Sequence, residues 1–373
     1  MEIETWYQQN FESQIKGRYI TLDHIKPLLE KYQNLFSVSS AGISERGKDI
    51  PKIKFGNGSN KILAWSQMHG NETTCTKAIF DLLKFISQKE HFKDEISNFL
   101  ENNTLVVIPI LNPDGASVYT RENANTIDLN RDAKDLTQKE SIVLREVLNE
   151  FQPDLCLNLH DQRTIYGLNT RLPATISFLS PAADIKRTIN IARIESMKLI
   201  VKMNLMLQKL IPGQVGRYDD TFNDNCVGDT FQKLGIPTIL FEAGHYKNDF
   251  QREITRKLIF YSFLSLFDII KAEKEHIDYE EYFSIPKNET NYRDLVLRGV
   301  KLDGSSKYTT VVMQYEERLI DGKIDFAPVI EDVENVKEIR GHYEPDPLAS
   351  QYLLNSQKKM YVDEVKKNIN KKS

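Results

Sequence analysis

At 373 residues the chain exceeds the size of most single hydrophobic cores, so a main domain of roughly 270 residues followed by a smaller unit is the natural division. With 49 basic and 53 acidic side chains the formal net charge is -4, which gives no electrostatic case for a nucleic-acid partner or an anionic membrane surface. No run reaches the ~18 apolar residues of a membrane-spanning helix, and three widely spaced cysteines, Cys75, Cys156 and Cys226, fit a reducing compartment better than a disulfide framework.

Residues 1–9 contain Glu2, Glu4 and Trp6 but no basic cluster followed by an apolar stretch, so no signal peptide is visible and a cytoplasmic location is expected. Tyr19 to Leu29 reads as a turn into a helix. Phe36 to Ile43 with Ile50 to Phe55 reads as a hairpin at a sheet edge, an arrangement common on mixed sheets. The apolar run Ile62-Leu63-Ala64-Trp65 predicts a buried strand, and Thr73 to Ser87 predicts a helix. Between them stands His69-Gly70-Asn71-Glu72, which places His69 in a strand-to-helix turn.

A second apolar run, Leu155 to Leu159, closes on His160, and a third, Pro237 to Phe241, closes on Glu242. Two imidazoles and a carboxylate, His69, Glu72 and His160, make a catalytic zinc set with one position left open. Strand ends on one side of an open α/β sheet are where ligands bind. An acidic residue ending a buried strand is costly unless it is paired or used, and a metal-bound water needs such a carboxylate to take its proton. The expectation is one Zn²⁺ per chain. His24, His91, His276 and His342 stand in polar context and read as exposed, while His245, three residues after Glu242, reads as supporting the site at most.

After a strand from Thr104 to Ile110 come Asn112-Pro113-Asp114-Gly115, Arg121-Glu122-Asn123 and Asp128-Leu129-Asn130-Arg131-Asp132. Asn-Pro and Asp-Gly turn the chain back at the same sheet edge, so two arginines arrive near a site rich in acidic and metal-binding groups. A guanidinium there can clamp a substrate carboxylate or stabilise an oxyanion.

The order of these motifs closely resembles that of the zinc carboxypeptidases, over about Ala41 to Ile270. The resemblance implies that His69, Glu72 and His160 bind one zinc. It implies that Glu242 is general base and proton shuttle, that Arg121 polarises the scissile carbonyl, and that Asn130 with Arg131 holds the substrate's terminal carboxylate. The short interval between the first ligand pair and the third ligand is similar to that of compact bacterial members. Family members also carry a mobile Tyr some twenty residues before the catalytic Glu; Tyr218 is the candidate, with Tyr246 equally close on the other side. Where compact members often have Gly, this chain has Thr126.

Leu258 to Ile270 predicts a core helix. Lys271 to Asn291 is charged and aromatic and reads as a linker or wrapping segment. Arg293 to Ala327 alternates apolar and polar residues around Asp303-Gly304 and Asp321-Gly322, both hairpin signals, which predicts a small antiparallel sheet of three or four strands ending near Tyr343. The tail carries Pro345, Pro347 and lysines at 358, 359, 366, 367, 371 and 372 and reads as a solvated, frayed helix.

These readings combine into an α/β fold: a mixed, mostly parallel sheet flanked by helices, with a small C-terminal antiparallel β unit. The boundaries are 1–275 for the zinc carboxypeptidase-like domain, 276–292 for a linker, 293–343 for the β unit and 344–373 for the basic tail. The expected activity is zinc-dependent hydrolysis of an amide bond next to a free carboxylate, most simply removal of C-terminal residues from peptides. N-acyl amino acid deacylation and cell-wall peptide trimming are alternatives on the same core, with a peptide or acyl-amino-acid as substrate in either case. A metal-retaining, non-catalytic binding module is the alternative of another class; a module of that kind needs neither Glu242 nor Arg121.

Overall fold

The computed structural model describes residues 2–88, 90–271, 274, 276–333 and 338–370, with side chains as far as Lys358. Two compact units are present, one formed by residues 1–163 and 168–288 and the other by residues 164–167 and 289–373.

The larger unit is built on an eight-stranded sheet of order β1-β2-β4-β3-β5-β8-β6-β7. Its strands are β1 (Ser37–Ile43), β2 (Asp49–Gly56), β3 (Asn60–Ser66), β4 (Asn103–Ile108), β5 (Leu155–Asp161), β6 (Ile176–Leu179), β7 (Val215–Arg217) and β8 (Thr238–Ala243). The central strands β4, β3, β5 and β8 run parallel to one another, as do β6 and β7. The predicted hairpin β1–β2 forms the antiparallel edge, and β6 is antiparallel to β8.

Alternation along the central strands sends side chains to two different cores. Ile62, Ala64, Leu157, Leu159, Ile239 and Phe241 join one core. That face carries α3 (Thr74–Ser87), α7 (Ile191–Leu210) and α9 (Glu253–Leu266), with α1 (Ile3–Asn10), α2 (Leu22–Tyr32) and α4 (Lys93–Asn102) packed around the same cluster. Leu63, Trp65 and Cys156 face the other way, against α6 (Lys139–Phe151) and α8 (Val227–Lys233) through Val143, Leu144, Val227 and Phe231. Both faces are therefore covered, which explains why every residue of β5 is buried. The short α5 (Pro113–Val118) opens with Pro113 in its first turn and Asn112 as its cap, whose Oδ1 accepts from Gly115 N at 2.8 Å.

A buried polar network ties the N-terminal segment to α3 and α9. Arg256, fully buried, donates to both oxygens of Asp81 at 2.7 and 2.6 Å, to Glu12 O at 2.7 Å and to Ile15 O at 2.8 Å. Asp81 also accepts from Glu12 N at 2.7 Å and Tyr7 Oη at 3.0 Å. Nearby, Lys77 is buried and donates to Glu253 at 2.7 Å; burial pulls its ammonium down to about 8, with Glu253 opposing.

The segment read as a linker divides in two. Up to residue 288 it belongs with the larger unit: Tyr282 is wholly buried and its Oη accepts from Ser180 N at 3.1 Å, Ile285 is buried, and Pro286 O accepts from Arg217 N at 2.8 Å. The aromatic and apolar residues that gave this stretch its mixed composition are the ones it buries.

The smaller unit is a four-stranded sheet of order β11-β10-β9-β12, made of β9 (Tyr292–Lys301), β10 (Tyr308–Ile320), β11 (Lys323–Val333) and β12 (Arg340–Tyr343). Asp321 and Gly322, at φ 48° and 73°, form the two-residue turn expected between β10 and β11. The last strand differs from expectation, because β12 pairs with β9 in parallel. His342 is only partly exposed: its Nε2 lies 2.7 Å from Thr164 O and its ring lies against Tyr292. The tail forms α10 (Pro347–Asn370), whose Leu354 is buried with Leu295, Leu297, Val300, Val311 and Met313. The lysines expected beyond 358 fall outside the described side chains, and Lys371 and Lys372 lie outside the described residues altogether.

Replacing Asp81 by Ala would leave the Arg256 guanidinium buried without its main counter-charge, which costs about 3–5 kcal/mol. Urea unfolding of Asp81→Ala should show a loss of that size, and a loss below about 1 kcal/mol would mean that Glu253 suffices to hold Arg256.

Candidate functional site

The strand register assembles the site. Across β5 and β8, His160 is directly opposite Glu242, so both side chains leave the same face at the carboxyl ends of neighbouring parallel strands. The next strand, β3, ends at Ser66, and the chain then turns sharply through Gln67 at φ 44° to deliver His69. Asn112 braces this turn: its N–H donates to Gln67 O at 3.0 Å and its Nδ2 to Met68 O at 3.2 Å. Here the turn and α5 come so close that a Cβ on Gly70 would fall 2.1 Å from the carbonyl carbon of Gly115, so only glycine fits.

Three predicted ligands converge. Glu72 Oε1 is 2.8 Å from His69 Nδ1, Glu72 Oε2 is 2.8 Å from His160 Nδ1, and the two Nδ1 atoms are 3.1 Å apart. All three residues are buried, and they form a group able to hold a metal ion. Ligands about 2.0–2.1 Å from a tetrahedral zinc are about 3.3 Å from one another, so a few tenths of an ångström of expansion would admit the ion. The donor set, two imidazole nitrogens and a carboxylate, is the one zinc takes in catalytic sites that keep a fourth position open.

Electrostatics favour a cation at this point. Burial works against the charge on Glu72, but His69 and His160 outweigh it and hold the carboxyl well below its ordinary range. Burial opposes a proton on His69 too, yet Glu72 and Asp128 raise its affinity. For His160 burial prevails and lowers it. Facing the group, Glu242 is lifted well above the carboxylate range by burial, with Glu72 and Asp161 adding to the effect against Arg121 and Arg252. Glu242 is thus a carboxyl with high proton affinity beside a metal-binding group.

Arg121 belongs to the same cluster. Its Nη2 and Nε donate to Asp128 Oδ2 at 3.0 and 3.2 Å, and its Nη1 lies 3.3 Å from Glu72 Oε1. Asn130 and Arg131 form a single helical turn, Leu129–Arg131, whose cap is Asp128. Asn130 is buried, and its Oδ1 accepts from Val227 N at 3.2 Å, which leaves the Nδ2 of the same amide as its donor group. Arg131 is exposed and donates to Asn130 O at 2.8 Å. Tyr218 stands apart: it follows β7, donates its N–H to Phe178 O at 2.9 Å and is partly buried, two strands away from Glu242 in the sheet order. Tyr246 is partly buried against the main core.

Some residues that shape the site received no role from the sequence. Asp128 accepts from His69 Nε2 at 2.9 Å as well as from Arg121 and Asn130 N. It fixes the His69 ring with Nδ1 turned to the metal group, an outer partner of the kind metal-binding histidines require. Its place in Asp128-Leu129-Asn130-Arg131 was the available signal. Asp161, immediately after His160, accepts from Thr74 Oγ1 at 2.6 Å, and its N–H donates to Glu72 Oε2 at 3.1 Å. Arg252, almost fully buried, donates to Ala243 O and to Gln162 O, joining the ends of β8 and β5 just past Glu242 and His160. Thr126, at φ 60°, occupies the left-handed conformation that suits glycine; Asn123 Oδ1 holds the loop by accepting from Asn125 N and Ile127 N.

Residues 21–152 match the family model described as zinc carboxypeptidase. Carboxypeptidase M of Mus musculus is 24% identical over 181 residues, 42% of this chain and 41% of that protein, and a probable carboxypeptidase 2 of Arthroderma benhamiae is 28% identical over 105 residues, 28% of this chain and 19% of that protein. The chain thus spans less than half the length of either curated relative. Among solved structures, a metallo-carboxypeptidase from Burkholderia cenocepacia superposes with a TM-score of 0.53 at 15% identity, covering 66% of this chain and 68% of its own. Carboxypeptidase A from Helicoverpa armigera does so with a TM-score of 0.52 at 14% identity, covering 71% and 78%. The resemblance read from the motifs is borne out: residues 21–152 match the zinc carboxypeptidase model, and the mixed α/β fold is similar to that of these metallocarboxypeptidase structures. The matched segment carries His69, Glu72 and the loop from Arg121 to Arg131, and ends before His160 and Glu242.

If the three converging groups are the metal's protein ligands, purified protein should hold about one zinc per chain by elemental analysis, and His160→Ala should lose most of it. Asp128→Ala, which frees the His69 ring, should weaken zinc binding roughly 10- to 100-fold. Zinc content unchanged in His160→Ala would place the metal elsewhere.

Proposed function

We propose that this chain is a zinc metallocarboxypeptidase that removes C-terminal residues from peptides. The observation that carries the reading is Glu242, a buried carboxyl with raised proton affinity placed by strand register beside His160 of the metal-binding group. A protein that merely held a metal would have no use for it.

Zinc held by His69, Glu72 and His160 would supply an acidified water and a Lewis-acid partner for the scissile carbonyl. Glu242 accepts the water's proton and hands it to the leaving amine nitrogen; its raised affinity suits both halves of that transfer. Arg121 donates to the oxygen on which negative charge develops, from a position already set by Asp128. Asn130 offers its amide and Arg131 its exposed guanidinium to the terminal carboxylate of the peptide, which orients the last residue across the site. Glu242 and the ligand group are buried, whereas Arg121 and Arg131 are exposed and open to an arriving peptide.

Glu242→Gln keeps size and hydrogen bonding but cannot take a proton. Its kcat on a peptide that the wild type trims should fall ~10²-fold or more with zinc content unchanged, and turnover like that of the wild type would move the base elsewhere.

Substrate class is read through Arg131. The wild type should strongly prefer a peptide with a free C-terminal carboxylate over its amide. Arg131→Ala should lower kcat/KM on the free acid by roughly 2–4 kcal/mol, about thirty-fold to nearly a thousand-fold, and change the amidated analogue far less. Equal losses on both would make Arg131 structural and turn the reading towards a deacylase or an endo-acting amidase.

A further inference from the structure

The sheet face that carries His160 also buries polar atoms that neither the fold nor the proposed reaction uses. Asn158 is 1% exposed, and neither its Oδ1 nor its Nδ2 has a hydrogen-bond partner among the described residues; the same is true of Trp65 Nε1 and of Gln232 Nε2, on side chains that are 0% exposed. His160 Nε2 is a further buried atom without a partner. Asn158 interrupts an otherwise apolar run, Leu155-Cys156-Leu157-Asn158-Leu159, where an unsatisfied amide is costly.

These atoms share one patch. Asn158 and His160 are alternate residues of β5 and leave the same face, about 7 Å apart. Trp65 is directly opposite Asn158 on β3. Its ring packs edge-on against Phe231 of α8, with centroids 5.4 Å apart, and the next residue, Gln232, uses its Oε1 to accept from Thr238 N at the start of β8. Asn158 and His160 make no direct hydrogen bond. The spacing along the strand is one that two side chains and a single solvent molecule can span.

The chemistry of the ligand supplies the reason for such a bridge. The Nδ1 of His160 is the nitrogen turned to Glu72 and His69. A neutral imidazole that gives the Nδ1 lone pair to a metal must carry its proton on Nε2, and that N–H needs an acceptor. His69 meets the same need with Asp128.

We infer that Asn158 is the positioning residue of His160. Its Oδ1 receives a hydrogen bond from one buried water, and that water accepts from His160 Nε2 and from Trp65 Nε1. Three polar partners are the usual complement of a buried water. The amide thereby fixes the tautomer and ring orientation of His160, as Asp128 does for His69. This inference rests on the reading of His160 as a metal ligand.

Zinc dissociation constants from chelator competition test it on the full chain. Asn158→Leu, close in volume but without an acceptor, should weaken zinc binding 10- to 100-fold, while Asn158→Asp, which keeps the acceptor, should remain within about threefold of the wild type. Zinc binding by Asn158→Leu as tight as the wild type overturns the inference, as does equal weakening in both variants. Failure of the wild type to bind zinc would instead sink the metal reading beneath it. Should Asn158→Leu fail to fold, a crystal structure of the zinc-loaded wild type decides. An ordered water between His160 Nε2 and Asn158 Oδ1 supports the assignment, and a different acceptor on His160 Nε2 overturns it.

Discussion

The register between β5 and β8 is the constraint on which the site depends. His160 opposite Glu242 is one rung of a parallel ladder that begins at Cys156 opposite Thr238. A slip of one residue would turn each strand's buried set to the wrong core and carry the imidazole away from the carboxyl. The slip is prohibited by the two cores themselves, since Leu157, Leu159, Ile239 and Phe241 fill one and Cys156 the other. The geometry of the site is therefore held by apolar packing on both sides of the sheet, and the polar groups at its edge adjust only the final orientation.

That adjustment is made by Asp128 and Arg252. Asp128 joins His69, Arg121 and the Asn130 turn in one set of hydrogen bonds, so three segments of the site share a single anchor. Arg252 ties the ends of β5 and β8 through Gln162 O and Ala243 O. Four carboxyl groups gather here, Glu72, Asp128, Asp161 and Glu242, with Arg121, Arg252 and His69 among them. Burial acts on both Glu72 and Glu242, but His69 and His160 overcome it at Glu72, whereas Glu72 and Asp161 reinforce it at Glu242, so the two proton affinities are driven in opposite directions.

Much of this was legible in the sequence because the informative residues end apolar runs. His160 and Glu242 close largely apolar runs and His69 follows another, so three strand ends were readable from those runs. The β10–β11 hairpin was legible for a similar reason, as Asp321-Gly322 is the dipeptide its turn requires. What could not be read was pairing between distant segments. Asp128 stands in the same motif as Asn130 and Arg131, but nothing in a linear motif says that its carboxylate reaches back to His69. The stretch before Asn288 read as a linker or a wrapping segment because charged residues surround its buried positions, and the fold decides for wrapping by placing Tyr282 and Ile285 inside. The parallel pairing of β12 had no local signal, since strand direction at a sheet edge is decided by where the connection leads.

The network around Arg256 carries a consequence for how the molecule comes into being. Its guanidinium bonds to Glu12 O across 244 residues, and Glu253 accepts from Gly17 N across 236. Contacts so far apart in sequence slow folding, because the entropy of closing a long loop is spent before the contact returns anything. During synthesis the segment around Glu12 emerges first and must wait for α9 before its buried carbonyls find their donor. The ends of β5 and β8, where His160 and Glu242 stand, are joined by Arg252, four residues before Arg256 on the same stretch of chain. A nascent chain that stops short of α9 already holds His69, Glu72 and His160 but lacks Arg252 and Arg256, so the ties from α9 to the ends of β5 and β8 and to the N-terminal segment close only once that helix has been made.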